Sequence, residues 1–308
     1  MVGTILVTGA TGTVGSEVIN QLSSATADVN IRAAAHSIEN LKKIVKSDIV
    51  EPVEMDYDKP DSLKDALKDV DRVFLLTPFQ SDMVELSSNF LKEIENAGNI
   101  KHIVKLSVMG ADSEPGIIGS RLHRQVEKTM EDTGIPFTFL RPNFFMQNFV
   151  NFFSQSIKEQ GAFYLPAGDG RVSFVDVRDI ASVAVQALTK NNDGRHNGKA
   201  YNITGPEAIS YGDVARILSE QLGKKISYVD ISEDAARKGM KESGWDDWTI
   251  NYMMELFNII RMGYLSQVSS VIEEVTEKRA ISFNQFAKDY SSAFTRVKSD
   301  SHWEPRMK

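Results

Sequence analysis

The chain has 308 residues, with 35 Lys and Arg against 42 Asp and Glu, a formal charge of −7, and no cysteine. That length suits one large domain or two that share a core, and the mild acidity advertises no face for nucleic acid or anionic lipid. The missing cysteines remove disulfides, thiolate nucleophiles and Cys-ligated zinc or iron–sulfur sites in one step.

Along the first half, short apolar runs alternate with amphipathic ones. Thr4–Thr8 reads as a buried strand and Gly15–Leu22 as a helix, Val29–Ala35 as a strand and Ile38–Val45 as a helix. Val50–Met55 is a third strand, and Pro60–Lys68 a helix capped by Asp58 or Asp61. Arg72–Leu76, the Met83–Ala97 helix, His102–Ser107, the Leu122–Thr133 helix and Phe137–Leu140 continue the series. Strands separated by about 10–15 residues of helical pattern imply right-handed crossovers and a parallel sheet. The expected fold is therefore α/β, a Rossmann-type doubly wound parallel sheet with a smaller C-terminal substrate lobe.

In the second half, Val172–Val177 and Ala200–Ile203 read as strands completing the same sheet, followed by the helices Ile180–Leu188 and Tyr211–Leu222. Phe144–Lys158 and Trp248–Lys278 are long aromatic- and Met-rich helical stretches, suited to packing a smaller lobe and to lining an apolar cleft. Residues 1–145, completed by about 171–206, form the expected nucleotide-binding domain, and 146–170 with 207–308 the mainly helical lobe. Met1–Gly9 has no charged leader and no uninterrupted apolar run, so no signal peptide is expected. No apolar run reaches the roughly 18 residues of a membrane span. A soluble, cytoplasmic protein is the expectation.

Thr8-Gly9-Ala10-Thr11-Gly12-Thr13-Val14-Gly15 ends the first strand and opens the first helix, its glycines three residues apart. Gly9 permits the tight turn, Gly12 lets a pyrophosphate approach the backbone, and Gly15 lets the helix pack close to the strand. The helix N-terminus adds unpaired N–H groups and a positive dipole end. Gly9, Thr11, Gly12, Thr13, Val14 and Gly15 are thus the expected phosphate-binding residues of a dinucleotide site. An NAD enzyme usually sets an acid at the end of the second strand, about 20 residues past the turn, to bind the ribose 2′-hydroxyl. Here that strand ends in Ala35-His36-Ser37, and the nearest acid, Glu39, lies further on. With His36, Ser37 and Lys42 or Lys43 placed to donate to a 2′-phosphate, the expected cofactor is NADP (as NADPH) in preference to NAD. Arg32 shares the face of His36 but lies about 13 Å away along the strand, and is expected to be structural.

Many reductases of this plan use a Tyr and a Lys four residues later as proton donor and activator, yet no tyrosine in this chain has that lysine. If the helix after the fifth strand is laid over the usual one, Gly119 falls at the tyrosine and His123 at the lysine, with Glu127 one turn on. Ser107, ending the fifth strand, sits where such enzymes keep a hydroxyl near the nicotinamide. His123 and Ser107 are therefore the catalytic candidates. Each also has a structural reading, His123 as a residue oriented by Glu127 and Ser107 as a strand-end hydroxyl. Asp176 and Asp179 are expected to cap the helix that follows them. The five histidines show no metal-ligand spacing, and no Ser-His-Asp hydrolase signature occurs.

Gly9–Gly15, His102–Gly110, His123-x-x-x-Glu127, Gly134–Asn148, Arg171–Ile180, Gly198–Pro206 and Ile281–Tyr290 occur in this order. Together they resemble the NmrA-like branch of the atypical short-chain dehydrogenase/reductases, most of all its type 2 quinone oxidoreductases and triphenylmethane dye reductases. The resemblance spans nearly the whole chain, and Leu140-Arg141-Pro142-Asn143-Phe144 is its most distinctive piece. It implies NADP on the Gly-rich turn and a nicotinamide near Thr77, Pro78, Ser107, His123, Pro142, Asn143, Phe144 and Phe145. A quinone, azo compound, imine or dye cation is already electron-poor and needs mainly a well-placed nicotinamide and a slot for a flat ring. Phe144, Phe145, Phe149, Trp248 and Tyr252 are available to line such a slot. The expected activity is an NADPH-dependent reduction of an electrophilic small molecule, with a homodimer as the candidate assembly. The alternative is a non-catalytic regulatory protein that senses the NADP(H) balance.

Overall fold

The computed structural model describes residues 3–25, 29–44, 49–191 and 193–295. Val45, at the end of the expected second helix, and the side chain of Lys43 lie outside the described residues. The first half runs β1 (Gly3–Val7), α1 (Thr13–Ala25), β2 (Val29–Ala35), α2 (Ile38–Ile44), β3 (Val50–Glu54) and α3 (Pro60–Leu67). It continues with β4 (Arg72–Leu75), α4 (Met83–Ala97), β5 (His102–Leu106), α5 (Ile118–Asp132), β6 (Phe137–Pro142) and α6 (Asn148–Gln160). Then come β7 (Ala162–Leu165), β8 (Arg171–Val172), α7 (Val177–Thr189), β9 (Lys199–Ile203), β10 (Ile209–Ser210), α8 (Tyr211–Leu222) and β11 (Ser227–Asp230). Helices α9 (Glu233–Glu242), α10 (Asp247–Arg261), α11 (Val271–Thr276) and α12 (Phe283–Asp289) complete the order.

The central sheet has seven strands in the order β3-β2-β1-β4-β5-β6-β9, every pair parallel. Its inner strands β1, β4, β5 and β6 are largely buried on both faces, and the side-chain alternation divides them between two cores. Ile5 and Val7 of β1 pack with α1 and α7, whereas Leu6 packs with α3, α4 and α5. The strand order reverses between β1 and β4. Ligands of doubly wound sheets bind beyond the carboxyl ends of the strands at such a point.

The second lobe has its own core. Phe149 lies at its centre, ringed by Phe153, Phe163, Phe174, Tyr211 and Phe283 at centroid distances of 5.2–5.9 Å. Two small sheets, the parallel pair β7–β11 and the antiparallel pair β8–β10, frame it. The strand expected over Val172–Val177 does not join the central sheet: only Arg171–Val172 is a strand, paired with β10, and Val175 makes a single bridge to Phe145. The stretch expected to be helical over Trp248–Lys278 is two helices, divided where Gly263 takes φ +78°. The cap expected from Asp58 or Asp61 is replaced by Lys59 as N-cap, with Pro60 supplying the preset φ of the first helical residue. Asp176 does cap α7, accepting from the Arg178 N–H. Gln147 joins the lobes, donating to Asp176 at 2.9 Å and accepting from the Val177 N–H at 3.0 Å. Among the described residues, no helix is long and apolar enough to cross a membrane.

Candidate active site

The carboxyl edge of the sheet gathers the turn after β1, the residues following β2 to β6, one face of α5 and, from the second lobe, α10. In the turn, Gly9 takes φ +62°, and the Gly12 N–H closes it onto the Gly9 carbonyl at 2.9 Å. A Cβ on Gly15 would stand 2.2 Å from that same carbonyl, so the start of α1 rests directly on the turn and only glycine fits. A Cβ on Gly12 would meet nothing but the Gly9 oxygen, at 3.3 Å. Thr11, Gly12 and Thr13 are exposed, and the first-turn N–H groups of α1 have no intrahelical acceptor. This is a cradle open to an anion, and the residues fit a pyrophosphate. Val14 is buried, so only its backbone faces the cradle.

Thr8 ties the turn to the neighbouring strand end, its hydroxyl donating to Leu76 O at 3.0 Å and accepting from the Leu76 N–H at 2.7 Å. Tyr57 donates to the same carbonyl at 2.9 Å. Thr77 is buried, accepting from Ser87 at 3.0 Å, and Pro78 beside it is half-buried. At the end of β2 the His36 side chain is 80% exposed. Across from it lies an acid that the local sequence concealed: Asp56, after β3, is 3.4 Å from His36 and 2.9 Å from Lys59. The hydrogen bond from Lys59 holds the Asp56 carboxyl below its usual range. Ser37 is engaged as the cap of α2, accepting from the Asn40 N–H at 3.4 Å. Arg32 is structural, pairing with Glu51 at 3.0 Å and donating to carbonyls at the end of α3.

Beneath β5 and α5 sits a buried polar network. Glu127 is fully buried and accepts from Ser107 Oγ (2.7 Å), Arg141 Nε and Nη2 (2.9 and 2.7 Å) and Arg124 Nη1 (3.1 Å). Arg141 also donates to Asp112 at 2.6 Å. A carboxylate in a dry interior needs that many donors, which corrects two expectations. Ser107, 2% exposed, turns its hydroxyl inward to Glu127 instead of toward the cleft, and Glu127 does not orient His123. The partner of His123 is Lys105, a fully buried lysine on β5 whose Nζ lies 2.9 Å from His123 Nδ1 and donates to Leu106 O at 2.9 Å. Burial, reinforced by Arg141 and opposed by Glu127, brings the Lys105 ammonium down to about 7. Burial and the adjacent Lys105 hold His123 well below the usual imidazole range.

An aromatic cluster covers His123. Phe79, just after β4, stacks on its ring at 6.0 Å and 11°, and meets Tyr252 at 4.5 Å and Trp248 at 5.2 Å. Trp248 and Tyr252 are stacked at 6.2 Å and 20°. Gly119 admits Tyr252: a Cβ there would stand 2.5 Å from the tyrosine ring. Burial pushes the Tyr252 hydroxyl up to about 12. Glu255, one turn further along α10, accepts the Ile118 N–H at 2.6 Å and so closes the open end of α5.

After β6, Asn143 is engaged at the lobe junction, donating to Ser173 and Leu265 O at 2.7 and 2.9 Å. Pro142 is buried, and Phe144 and Phe145 are half-buried, the latter packed on the core cluster that holds Ala10 and Val14. Phe149, expected to line the slot, is 1% exposed at the heart of the second lobe. It faces other aromatics on all sides and holds roughly 3–5 kcal/mol of stability. Phe79, Asp56 and Lys105 were missed by sequence reasoning. Only Lys105 left a signal, as a charge inside the apolar run His102-Ile103-Val104-Lys105-Leu106.

A family model for NmrA-like proteins matches residues 1–286. The chain belongs to the NmrA-like family. This NmrA-like protein is 36% identical over 292 residues to an NAD(P)H azoreductase of Xenophilus azovorans, covering 94% of this chain and 99% of that protein. Among solved structures it is similar to the Citrobacter sp. triphenylmethane reductase complexed with NADP(H), with a TM-score of 0.81 and 27% identity over 93% of this chain and 99% of that one. The NADPH-dependent quinone oxidoreductase of Escherichia coli, complexed with NADPH, has a TM-score of 0.82 at 24% identity, over 93% of this chain and 99% of that one, and shares the fold.

Proposed function

We propose that this NmrA-like protein is an NADPH-dependent reductase of flat, electron-poor small molecules such as quinones, azo compounds or dye cations. One juxtaposition carries the reading: the open glycine cradle and the aromatic cluster of Phe79, Trp248 and Tyr252 over His123 share one sheet edge, with Gly119 where a proton-donating tyrosine would stand. The reductases among its relatives support the same class. A reduced nicotinamide supplies the two electrons of such a reaction as hydride. Gly9 to Gly15 bind the pyrophosphate through backbone N–H groups. His36 and Lys59 receive a 2′-phosphate, and Lys59 offsets the charge of Asp56. The aromatic cluster holds a flat acceptor and excludes water, and the neutral imidazole of His123 is the polar group beneath it.

Parallel assays of NADPH oxidation with benzoquinone-type, azo and dye-cation acceptors and with simple ketones test this reading. Turnover is expected with the conjugated acceptors and not with ketones, and turnover confined to ketones would refute it. Tight binding that discriminates NADPH from NADP, with no acceptor-dependent oxidation, would indicate a redox sensor instead.

A further inference from the structure

Lys105 is a cation placed where folding alone would not put one. It is fully buried on a central strand, and its Nζ has two partners, Leu106 O and His123 Nδ1. The titratable and charged groups facing it are His123 and Glu127 from α5 and Arg141 from β6, with Arg124 and Asp112 behind them. Glu127 is already satisfied by two arginines and Ser107, so Lys105 is not needed to neutralise it. An ammonium has only donors, so His123 Nδ1 must accept, and the imidazole proton then resides on Nε2. Nε2 lies on the far side of the ring from Lys105. It has no hydrogen-bond partner among the described residues, and it is not sealed from solvent. The ring carrying it lies against Phe79, in the aromatic cluster.

We propose that Lys105 is a positioning residue that fixes His123 as the Nε2–H tautomer and replaces the proton which His123 gives to a reduced acceptor. The inference rests on the reductase reading and separates acceptors by chemistry. A triphenylmethane cation needs a hydride alone. An azo bond that receives a hydride at one nitrogen moves its π electron pair to the other, which takes the proton from His123 Nε2. His123 Nδ1 takes one from the Lys105 ammonium, and when Nε2 regains a proton from solvent, Nδ1 returns its own to Lys105. One hydride and one proton thus convert N=N to HN–NH. A lysine held near 7 by burial can both give and recover that proton at neutral pH.

Two measurements decide it. In cofactor-free protein labelled with 15N-histidine, His123 is expected to show a fixed Nε2–H tautomer at pH 7, and Lys105→Met to show tautomer averaging; an unchanged spectrum in the variant overturns the proposal. In single-turnover reduction by NADPH, the ratio of azo-dye to dye-cation rate is expected to fall at least tenfold in Lys105→Met, and likewise in His123→Gln, which keeps hydrogen bonding but cannot relay a proton. Methionine nearly matches the lysine stem in volume, and the glutamine variant stands in if Lys105→Met does not fold. An unchanged ratio in a protein that reduces both acceptors overturns the proton supply alone. Wild-type protein inert toward both overturns the reductase reading and the proton supply with it.

Discussion

His36 and Asp56 show how one corner of a site is settled by residues far apart in sequence. Sequence reasoning found no acid near the end of β2, yet Asp56 reaches it from the neighbouring strand, 3.4 Å from His36. Parallel pairing sets Ala35 beside Glu54, and local spacing does not reveal which residues then meet across strands. Replacing His36 with Asp sets a second carboxylate beside Asp56 and repels a 2′-phosphate. Fluorescence titration is expected to show NADPH affinity at least tenfold weaker, about 1.4 kcal/mol, with NADH affinity largely kept. Gly9 and Gly15, by contrast, were legible individually, because each meets a steric demand set by its place in a strand–turn–helix unit. Ser107 was legible as a position but not as an orientation: whether a strand-end hydroxyl turns inward depends on a partner such as Glu127, twenty residues away.

At the scale of elements, α5 and α10 share a site although they belong to different lobes. Gly119 is the contact that allows it. A methyl group there would stand 2.5 Å from the Tyr252 ring, so Gly119→Ala must push Tyr252 aside and with it the stack on Phe79 and Trp248. The expected result is a rise of at least fivefold in KM for flat acceptors with NADPH affinity unchanged, measured by steady-state kinetics and titration. Sequence periodicity identified α5, while the contact of its Gly119 with α10 is tertiary and left no trace in either segment. The parallel strands and their crossovers were readable because apolar runs and helical periods alternate regularly. The excursion from Phe163 to Ser210 was less so. Of its strands only β9 joins the central sheet, while β8 has two residues and pairs with β10, so Val172–Val177 looked like a central strand while lying outside the sheet.

For the molecule as a whole, two buried groups oppose each other in acid. His102 is 2% exposed at the amino end of β5; because Thr138 donates to His196 O at 2.7 Å, it accepts from His102 Nε2 at 2.9 Å. Burial, aided by Arg72 and His196, pushes His102 down to about 4 from 6.5. Between those values the unfolded chain binds the extra proton, so this histidine removes stability as pH falls from 6.5 to 4. Asp179, buried and accepting the Ile281 N–H at 2.8 Å, is pushed up to about 6 from 3.8, chiefly by burial. The folded chain holds that proton, so Asp179 contributes stability at low pH and loses it as pH rises from 3.8 to 6. Each effect amounts to about 3 kcal/mol and they offset. Asp179→Asn keeps an acceptor for Ile281 and removes one side of the balance. Urea denaturation is expected to show the variant more stable than wild type by up to about 3 kcal/mol at pH 7, with the difference vanishing near pH 4.

The lobes are latched twice by a single helix, through Tyr252 seated on Gly119 and Glu255 on the Ile118 N–H. Swinging α10 outward would release both at once, uncovering the ring slot while fraying the first turn of the helix that carries His123. Admission of a bulky dye and departure of its product would therefore share one gate, and turnover of large acceptors should slow in viscous buffer while small quinones pass unaffected.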